Sequence, residues 1–243
     1  MASVLIWGGT GQAKVLRPIL AAMGYSVAAV YDRDLGVANP FPDVPLLSGT
    51  SALDAWLDRN RGAVRYFAVA IGGDKGGDRL EIAALLTGRG LKPVTAVHPR
   101  AWVAETATLG EGCQVMALAA VSEEVLLGRQ CIVNTGASVD HECVLEDGVH
   151  VMPGATLAGC VRVGRCAAIG ANATVLPRLA IGAGAVVGAG AVVTANVPPG
   201  AVVVGNPARP LPAKNAVPPV ALQAAPRPVS RPVSRPIPRK VQS

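Results

Sequence analysis

Apolar residues recur every six positions through the middle of the chain. Seventeen successive sites at this spacing are all Val, Leu or Ile: Val97, Val103, Leu109, Val115, Val121, Leu127, Val133, Val139, Leu145, Val151, Leu157, Val163, Ile169, Val175, Ile181, Val187 and Val193. A period of six matches neither the 3.6-residue repeat of a helix nor the alternation of a simple strand. It is typical of a parallel β-helix in which each hexad forms one side of a triangular coil, so the pattern predicts about five to six coils.

The composition fits a narrow coil interior. The chain of 243 residues is 51% hydrophobic but only 3% aromatic, which suits an axis lined by small aliphatic side chains. Three of the five cysteines lie two residues before an apolar site, at positions that are mostly small: Cys113, Cys131 and Cys143. We interpret these thiols as packing groups rather than metal ligands. An odd number of cysteines without paired spacing favours a reducing, cytoplasmic location.

Residues 1–94 follow a different pattern, in which strand-like and helix-like segments alternate. The strand-like segments are VLIW, SVAAVYD and VRYFAVAIGG, and the helix-like segments are QAKVLRPILAAMG, LDAWLDRN and DRLEIAALLTGRG. This alternation predicts a Rossmann-like α/β domain with a parallel sheet and a ligand at the carboxyl ends of its strands. Gly8, Gly9 and Gly11 would let the backbone approach a phosphate, and Asp32 would accept a hydrogen bond from a ribose or a base.

A dinucleotide cofactor fits this first domain poorly. Its glycines form the pattern G-G-x-G rather than G-x-G-x-x-G, and the P-loop lysine motif is absent from the sequence. About 95 residues are also too few for a complete dinucleotide fold with a substrate domain. The sequence therefore favours a mononucleotide or a nucleotide-linked sugar as the ligand.

The basic charge is concentrated near the end of the chain. The net charge is +6, but six of the 22 basic residues follow Pro212, where no acidic residue occurs. We therefore expect residues 210–243 to be a Pro/Arg-rich disordered tail, with binding to a partner or an anionic surface as the alternative, and we expect no nucleic-acid partner. No apolar run approaches the roughly 18 residues that span a membrane, and the N-terminus lacks the basic segment of a signal peptide, so no membrane insertion is expected.

The order of these parts resembles that of a known family. The sharpest shared motifs are WGGTGQ, VYDRD, AIGGD, IVNTGASVDHECVLEDGVHV, GATLAG and VGNPARP. Over about residues 3–209 the chain resembles the hexapeptide-repeat sugar-nucleotide N-acetyltransferases of the sialic-acid O-acetyltransferase-like branch, which includes perosamine and bacillosamine N-acetyltransferases. The resemblance implies a left-handed parallel β-helix over residues 95–209, a homotrimer with active sites between subunits, and acetyl-CoA as the co-substrate, with no metal.

The same resemblance implies a reaction and the residues that perform it. An acetyl group would pass from acetyl-CoA to the 4-amino group of a nucleotide-linked amino-dideoxy sugar, GDP-perosamine being the first expectation and a UDP-linked 4-amino sugar the second. His141 matches the general base, Glu142 the acid that raises its basicity, and Gly159 a backbone donor to the thioester oxygen. The positions that match acetyl-CoA contacts are His150, Ala171 and Ala189, and those that match nucleotide-sugar contacts are Thr10, Gly11, Gln12, Asp32, Arg33 and Gly72.

The chain departs from the family pattern at several of these positions. Gln12 stands where the first loop often has a histidine, and the second strand ends in Asp32-Arg33 where two acids can occur. The loop IGGDKGGD is longer and richer in glycine than usual, which leaves the roles of Lys75 and Asp78 open. Gln12 can still form hydrogen bonds but carries no charge, and the Asp32-Arg33 pair bears on the preference for a base.

The chemistry of amine acetylation explains the predicted residue types. The reaction needs a base for the ammonium proton, a positioned thioester and a donor for the developing oxyanion. A histidine titrates near neutral pH, and a neighbouring carboxylate makes it more basic; Glu142 is the first choice for that carboxylate and Asp140 the second. Since nine residues span one and a half sides of a coil, His141 and His150 cannot share one face of a single chain. If they share a site, it lies between two chains.

Three other functions compete with this prediction. O-acetylation of a sugar or of sialic acid differs only in the acceptor and is the main alternative. A γ-type carbonic anhydrase needs three zinc histidines, whereas the β-helix proper offers two. A non-catalytic β-helix scaffold would leave the first domain without a purpose.

Overall fold

The computed structural model describes residues 1–211, which form one compact unit. The predicted tail falls almost entirely on residues 212–243, and the prediction of disorder there lies outside the described residues. Within residues 1–211, no helix is long and apolar enough to cross a membrane.

The first part of the chain forms a five-stranded parallel sheet with three helices. In chain order its elements are β1 (Ala2–Trp7), α1 (Gly11–Ala22), β2 (Tyr25–Asp32), β3 (Leu46–Ser48), α2 (Thr50–Arg59), β4 (Val64–Val69), α3 (Gly76–Gly88) and β5 (Lys92–Pro93). The sheet order is β3-β2-β1-β4-β5. The predicted α/β domain is confirmed, and the short strands β3 and β5 are the elements that the sequence pattern did not indicate.

The central strands are apolar throughout because both faces of the sheet are covered. On one face, α1 packs Leu16 and Ile19 against Val4 and Ile6 of β1. On the other face, α2 and α3 pack against alternate residues of the same strands. The carboxyl ends of β1, β2 and β4 therefore meet at one edge of the sheet, where the glycine-rich loops follow.

Seventeen two-residue strands then form the predicted β-helix. They are β6 (Ala96–Val97), β7 (Trp102–Val103), β8 (Thr108–Leu109), β9 (Gln114–Val115), β10 (Ala120–Val121), β11 (Leu126–Leu127), β12 (Ile132–Val133), β13 (Ser138–Val139), β14 (Val144–Leu145), β15 (His150–Val151), β16 (Thr156–Leu157), β17 (Arg162–Val163), β18 (Ala168–Ile169), β19 (Thr174–Val175), β20 (Ala180–Ile181), β21 (Val186–Val187) and β22 (Val192–Val193). Each strand from β6 to β19 pairs in parallel with the strand three further along, so every coil has three sides and the stacked coils present three faces.

We name the faces by their strands. Face 1 contains β6, β9, β12, β15, β18 and β21, and it ends in β23 (Val202–Val204) and β24 (Arg209–Pro210). Face 2 contains β7, β10, β13, β16, β19 and β22, and face 3 contains β8, β11, β14, β17 and β20. Each of the seventeen apolar sites is the second residue of its strand, and all of them from Val115 onward are buried on the axis. The hexad pattern is thus confirmed residue by residue.

The corners of the coils repeat a left-handed backbone conformation. One residue in every corner from 112 to 190 has a positive φ, and eight of these residues are not glycine. A side chain there carries a steric penalty that glycine avoids. Glu142 and Cys160 are two of the eight, with φ of 58° and 61°, and they occupy equivalent corners of successive coils.

The α/β domain packs on face 1 of its own β-helix. The outward-facing residues of this face are buried from β6 to β18 because the domain covers them. Met116 and Ile132 are fully buried and belong to the same apolar cluster as Leu16 and Ile19 of α1. Burial of one such aliphatic side chain stabilises the structure by about 1.5–3 kcal/mol. This contact therefore holds the domain firmly on face 1.

The β-helix ends slightly later than predicted. The strand β24 pairs antiparallel with β23, with Pro210 opposite Val203. Pro210 therefore belongs to the hairpin that closes face 1, and the expected start of the tail at residue 210 is wrong by at least this residue. The cause is local: the sequence VGNPARP marks the turn of the hairpin, and its second strand follows the turn.

Candidate active site

A histidine–glutamate pair lies at the corner between faces 2 and 3. His141 is in the turn that joins β13 to β14. Its Nδ1 atom is 2.9 Å from Oε2 of Glu142, and the two side chains are 51% and 56% exposed. The hydrogen bond lowers the pKa of the Glu142 carboxyl, so the group is ionised at neutral pH. Because an ionised carboxylate accepts, the proton of the neutral ring is on Nδ1 and the lone pair is on Nε2.

Asp140 was the second choice for the carboxylate beside the imidazole, but it bonds to the backbone instead. Its Oδ1 atom accepts a hydrogen bond of 2.8 Å from the backbone N–H of His141. The carboxylate therefore shapes the turn that carries the histidine, while Glu142 is the carboxylate that contacts the ring.

Gly159 lies directly against the ring of His141 in the next coil. A Cβ atom on Gly159 would be 2.5 Å from Nε2 and 2.6 Å from Cε1 of His141. Such distances are shorter than any real contact, so only glycine leaves room for the imidazole. The hydrogen bond from Cys160 N–H to the carbonyl of His141, 2.9 Å, holds the two coils in this register.

The corner positions expose backbone donors. The N–H groups of Gly159, Ala171 and Ala189 donate to no backbone carbonyl within residues 1–211, because the ladder uses the residues on either side of them. Gly159 is at the corner between faces 2 and 3, whereas Ala171 and Ala189 are at the corner between faces 1 and 2. The three residues therefore lie along two edges of face 2.

A cleft opens at the carboxyl edge of the α/β sheet. Its volume is about 260 Å³. Four of the predicted nucleotide-sugar contacts line it: Thr10, Asp32, Arg33 and Gly72. Trp7, Gly8 and Asp78 belong to the same lining. The guanidinium of Arg33 lies 5.3 Å from the centre of the Trp7 ring, which is a cation–π contact. The cleft thus brings together a nearly buried indole, a guanidinium and a carboxylate.

The first glycine loop is shaped by Asp32 and by close backbone contact. Gly8 has φ of 109°, and a Cβ atom there would be 2.5 Å from the carbonyl oxygen of Ala70. Asp32 accepts hydrogen bonds from the N–H of Gly9 at 2.7 Å and of Asp34 at 3.0 Å. The carboxylate that was predicted to contact the ligand therefore also holds the loop that lines the cleft.

The two remaining predicted residues of the first loop, Gly11 and Gln12, are absent from the lining of the cleft. Gly11 is exposed at the start of α1. The side chain of Gln12 donates to Gln114 on face 1 at 2.8 Å, and Gln114 donates in turn to the carbonyl of Val69 at 2.7 Å. Gln12 instead joins the α/β domain to the β-helix.

His150 is buried between the two parts of the chain. Its side chain is on the outer side of face 1, the residue is 3% exposed, and both ring nitrogens have partners. Nδ1 donates to the carbonyl of Gly73 at 2.8 Å, and Nε2 accepts from Asn134 at 3.1 Å. Burial lowers the pKa of His150 to about 4, so the ring is neutral at physiological pH. Contact with acetyl-CoA through the ring would require the loss of one of these bonds.

The two histidines lie apart, as their nine-residue spacing predicts. His141 is at the corner between faces 2 and 3, and His150 is on face 1. Asn134, the partner of His150, is at the end of β12 beside the corner between faces 1 and 2.

Arg79 is a positioning residue that the sequence analysis missed. It is 0% exposed, and its guanidinium donates to three carbonyl groups, those of Gln130, Ile71 and Gly148. Ile71 precedes Gly72 in the cleft, so Arg79 ties this loop to the β-helix in the way that His150 ties Gly73. In the sequence Arg79 is one charged residue in an amphipathic helix, and no pattern distinguishes it from a solvent-exposed arginine.

Comparison with known proteins identifies the family. The model of the bacterial transferase hexapeptide (six repeats) matches residues 142–177. A GDP-perosamine N-acetyltransferase of Escherichia coli O157:H7 is 38% identical over 150 residues, which are 60% of this chain and 67% of the relative. The chain belongs to the hexapeptide-repeat sugar-nucleotide N-acetyltransferases. It is therefore an acyltransferase.

Solved structures of similar proteins extend over both parts of this N-acetyltransferase. The H141N mutant of perosamine N-acetyltransferase from Caulobacter crescentus, in complex with CoA and GDP-perosamine, is 37% identical with a TM-score of 0.80, over 87% of this chain and 97% of that one. The acetyltransferase domain of PglB from Neisseria gonorrhoeae FA1090, in complex with acetyl coenzyme A, is 32% identical with a TM-score of 0.76, over 86% and 98%. Both similarities cover the α/β domain as well as the β-helix, since neither part alone makes up so large a share of the chain.

Proposed function

We propose that the protein transfers the acetyl group of acetyl-CoA to the 4-amino group of a nucleotide-linked 4-amino-4,6-dideoxy sugar, and that this sugar is GDP-perosamine. The observation that carries the proposal is the pair of His141 and Glu142 at 2.9 Å, with Nε2 of the ring directed away from the carboxylate and against Gly159. The similarity to a GDP-perosamine N-acetyltransferase and to an enzyme solved with CoA and GDP-perosamine supports the choice of substrate.

His141 acts as the general base in this proposal. Nε2 removes a proton from the attacking amine, while the ionised Glu142 carboxylate stabilises the imidazolium that forms. The N–H of Gly159 donates to the thioester oxygen as negative charge develops on it, and no metal or covalent intermediate takes part. The thiolate of CoA leaves and takes its proton from the imidazolium.

The cleft of the α/β domain holds the nucleotide. Thr10, Asp32, Arg33 and Gly72 contact the nucleotide part of the substrate, supported by their place in the lining of the 260 Å³ cleft. Gly11 and Gln12 act indirectly. Gly11 is the first residue of α1, and Gln12 holds the domain on face 1. Ala171 and Ala189 line the pantetheine arm of acetyl-CoA, and His150 lies beside their corner through Asn134.

Each active site lies between two chains of a homotrimer. The α/β domain covers face 1, and His141 is at the corner opposite to that face, so the nucleotide of one chain is on the far side of the coil from its own His141. A second chain that brings its corner with His141 to the edge between faces 1 and 2 of the first completes the site. We further propose a left-handed coil, a domain boundary after residue 94, and a cytoplasmic location, the last supported by five free cysteines.

A panel of acceptors tests the proposed reaction. The purified protein is incubated with acetyl-CoA and, separately, with GDP-perosamine, a UDP-linked 4-amino-4,6-dideoxy sugar or free sialic acid. We expect GDP-perosamine to gain one acetyl group by mass spectrometry, and NMR to place that group on nitrogen. O-acetylation of sialic acid without acetylation of either amino sugar would contradict the proposal.

A further inference from the structure

The corner that carries the proposed base also carries a thiol. Cys160 lies one coil after Glu142, at the equivalent left-handed position, and its Sγ atom is 3.6 Å from Oε2 of Glu142. That oxygen is also 2.9 Å from Nδ1 of His141. One imidazole nitrogen, one carboxylate oxygen and one sulfur atom thus lie within 4.8 Å of one another. The acetyl transfer proposed above uses the first two groups and leaves the thiol without a role.

We propose that His141, Glu142 and Cys160 form a binding site for a zinc-like divalent cation, and that binding of the cation inhibits acetyl transfer. The inhibition rests on the proposed role of His141, whereas the binding does not. Nothing in the reaction requires this metal, so the site would be regulatory.

The three ligand types suit zinc. Zinc binds imidazole nitrogen and carboxylate oxygen at about 2.0–2.2 Å and thiolate sulfur at about 2.3 Å, usually in tetrahedral geometry. Such distances place neighbouring ligand atoms about 3.3–3.8 Å apart. The 3.6 Å separation falls in that range, the 2.9 Å separation is a few tenths of an ångström shorter, and the imidazole–sulfur separation is at most 4.8 Å. Small side-chain adjustments, which the exposure of His141 and Glu142 allows, would bring all three atoms to the distances of a zinc site. A water molecule completes four-coordination.

The charges around the cluster bear on the cation in opposite ways. The carboxylates of Asp140 and Glu142 attract it, while Arg178 one coil further opposes it. Partial burial and the Glu142 carboxylate raise the pKa of the Cys160 thiol, so the free thiol is protonated and donates to Glu142. A bound cation replaces that proton, which is released to solvent.

Inhibition follows from the tautomer of the imidazole. In the free pair the ring proton is on Nδ1 and Nε2 is the base. A cation on Nδ1 requires the lone pair of that nitrogen, so the proton of the neutral ring moves to Nε2. Nε2 is then a donor and cannot accept a proton from the substrate amine. The cation also takes the carboxylate of Glu142 away from the ring.

Cobalt reports the site directly, because thiolate bound to Co²⁺ gives a near-ultraviolet charge-transfer band. Co²⁺ is added to the full-length protein in a buffer without thiols or chelators, and the same spectrum is recorded for Cys160→Ser and for Cys166→Ser, the other half-buried cysteine. We expect the band in the wild type and in Cys166→Ser, and its loss in Cys160→Ser. Absence of the band in the wild type, or its retention in Cys160→Ser, would overturn the proposal.

The effect on turnover is measured with Zn²⁺. Product formation is followed by chromatography, because zinc also binds the thiol of released CoA. Basal activity should be unchanged in Cys160→Ser, while the zinc concentration for half inhibition should rise by about tenfold or more. Equal sensitivity of the two proteins would overturn the inhibitory role.

One further variant and the cobalt spectrum separate the remaining outcomes. Cys160→Gly removes the thiol and relieves the positive φ, so it replaces the serine variant if that one folds poorly. If every acceptor fails to be acetylated, the proposed function fails, and the cobalt spectrum still decides whether the metal site exists.

Discussion

The ring of His141 lies between two neighbours that fix it from opposite sides: Nδ1 is 2.9 Å from the carboxylate of Glu142, and Nε2 faces the position where Gly159 lacks a side chain. One neighbour sets the tautomer and the other provides space at the basic nitrogen. The two contacts come from adjacent coils, so the stacking of the β-helix itself builds the proposed catalytic group.

Loss of the Glu142 charge should weaken the base without removing it. We expect Glu142→Gln to lower kcat by about tenfold, because the amide cannot stabilise the imidazolium as the carboxylate does. Steady-state rates with GDP-perosamine and acetyl-CoA at one pH near neutrality test this.

Glu124→Gln is the matched control for that variant. Glu124 occupies the equivalent corner one coil earlier, with φ of 56°, and it is exposed. Its rate should equal that of the wild type. An equal fall in both variants would show that the effect comes from the corner of the coil rather than from the imidazole.

Replacement of Asp32 should weaken the binding of the nucleotide sugar and leave the binding of CoA unchanged. Asp32→Ala removes the acceptor for the N–H groups of Gly9 and Asp34, so the loop beside the cleft loses its shape. Loss of such charge-assisted bonds typically weakens binding by about tenfold or more. Calorimetric titration should show weaker binding of GDP-perosamine and unchanged binding of CoA, with Asp58→Ala, an exposed residue paired with Arg61, as the control. Equal loss of both ligands in Asp32→Ala would contradict the placement of the nucleotide.

Mixed oligomers test whether the site lies between chains. Asp32→Ala and His141→Asn should each be nearly inactive at low nucleotide-sugar concentration. If one chain supplies the cleft and its neighbour supplies the base, random trimers of the two variants contain intact sites and recover about a quarter of wild-type activity. Sedimentation should give three times the chain mass of 24.6 kDa. A complete absence of recovery in verified mixed trimers would place both residues of each site in one chain.

His150 should make stability depend on pH. Burial holds the pKa of the folded ring at about 4, whereas the unfolded ring titrates near 6.5. Between these values the unfolded state binds the additional proton, so stability falls as the pH drops from about 6.5 to about 4, by roughly 3 kcal/mol from this group. His150→Gln keeps one donor and one acceptor but does not titrate. The urea midpoint of this variant should fall less between pH 7.5 and 5 (a window set by histidine titration, roughly) than that of His98→Gln. Identical pH dependence in the two variants would contradict the buried, neutral state of His150.

The β-helix could be predicted almost completely from the sequence. The axis admits only small aliphatic side chains, so Val97 through Val193 keep a strict period that no other fold requires. The short strand β3 was not predicted because three residues are too few to show a period. The pairing of Pro210 with Val203 was not predicted because it depends on the turn between β23 and β24.

Contacts in the site could be predicted where the two residues are close in sequence, and not where they are far apart. His141 and Glu142 are adjacent in sequence, so their contact could be expected from the motif. The roles of Arg79 and His150 depend on how the α/β domain packs on face 1, and that contact joins residues 51 to 77 positions apart. The sequence carries no periodic signal for such a contact. The contact of Gln12 with Gln114 could not be predicted for the same reason, since the two residues are 102 positions apart.

The rate and the pH profile of His141→Asn test most directly whether His141 is the general base. Asparagine keeps the approximate size and one hydrogen bond, but it cannot accept the proton of the amine. General-base assistance is worth about 10²–10⁴-fold, so kcat with GDP-perosamine and acetyl-CoA should fall within that range, while both KM values change little. The rising limb of kcat/KM with pH in the wild type should be absent from the variant. Near-normal turnover with the same limb would show that the proton leaves by another route and that His141 only positions the substrate.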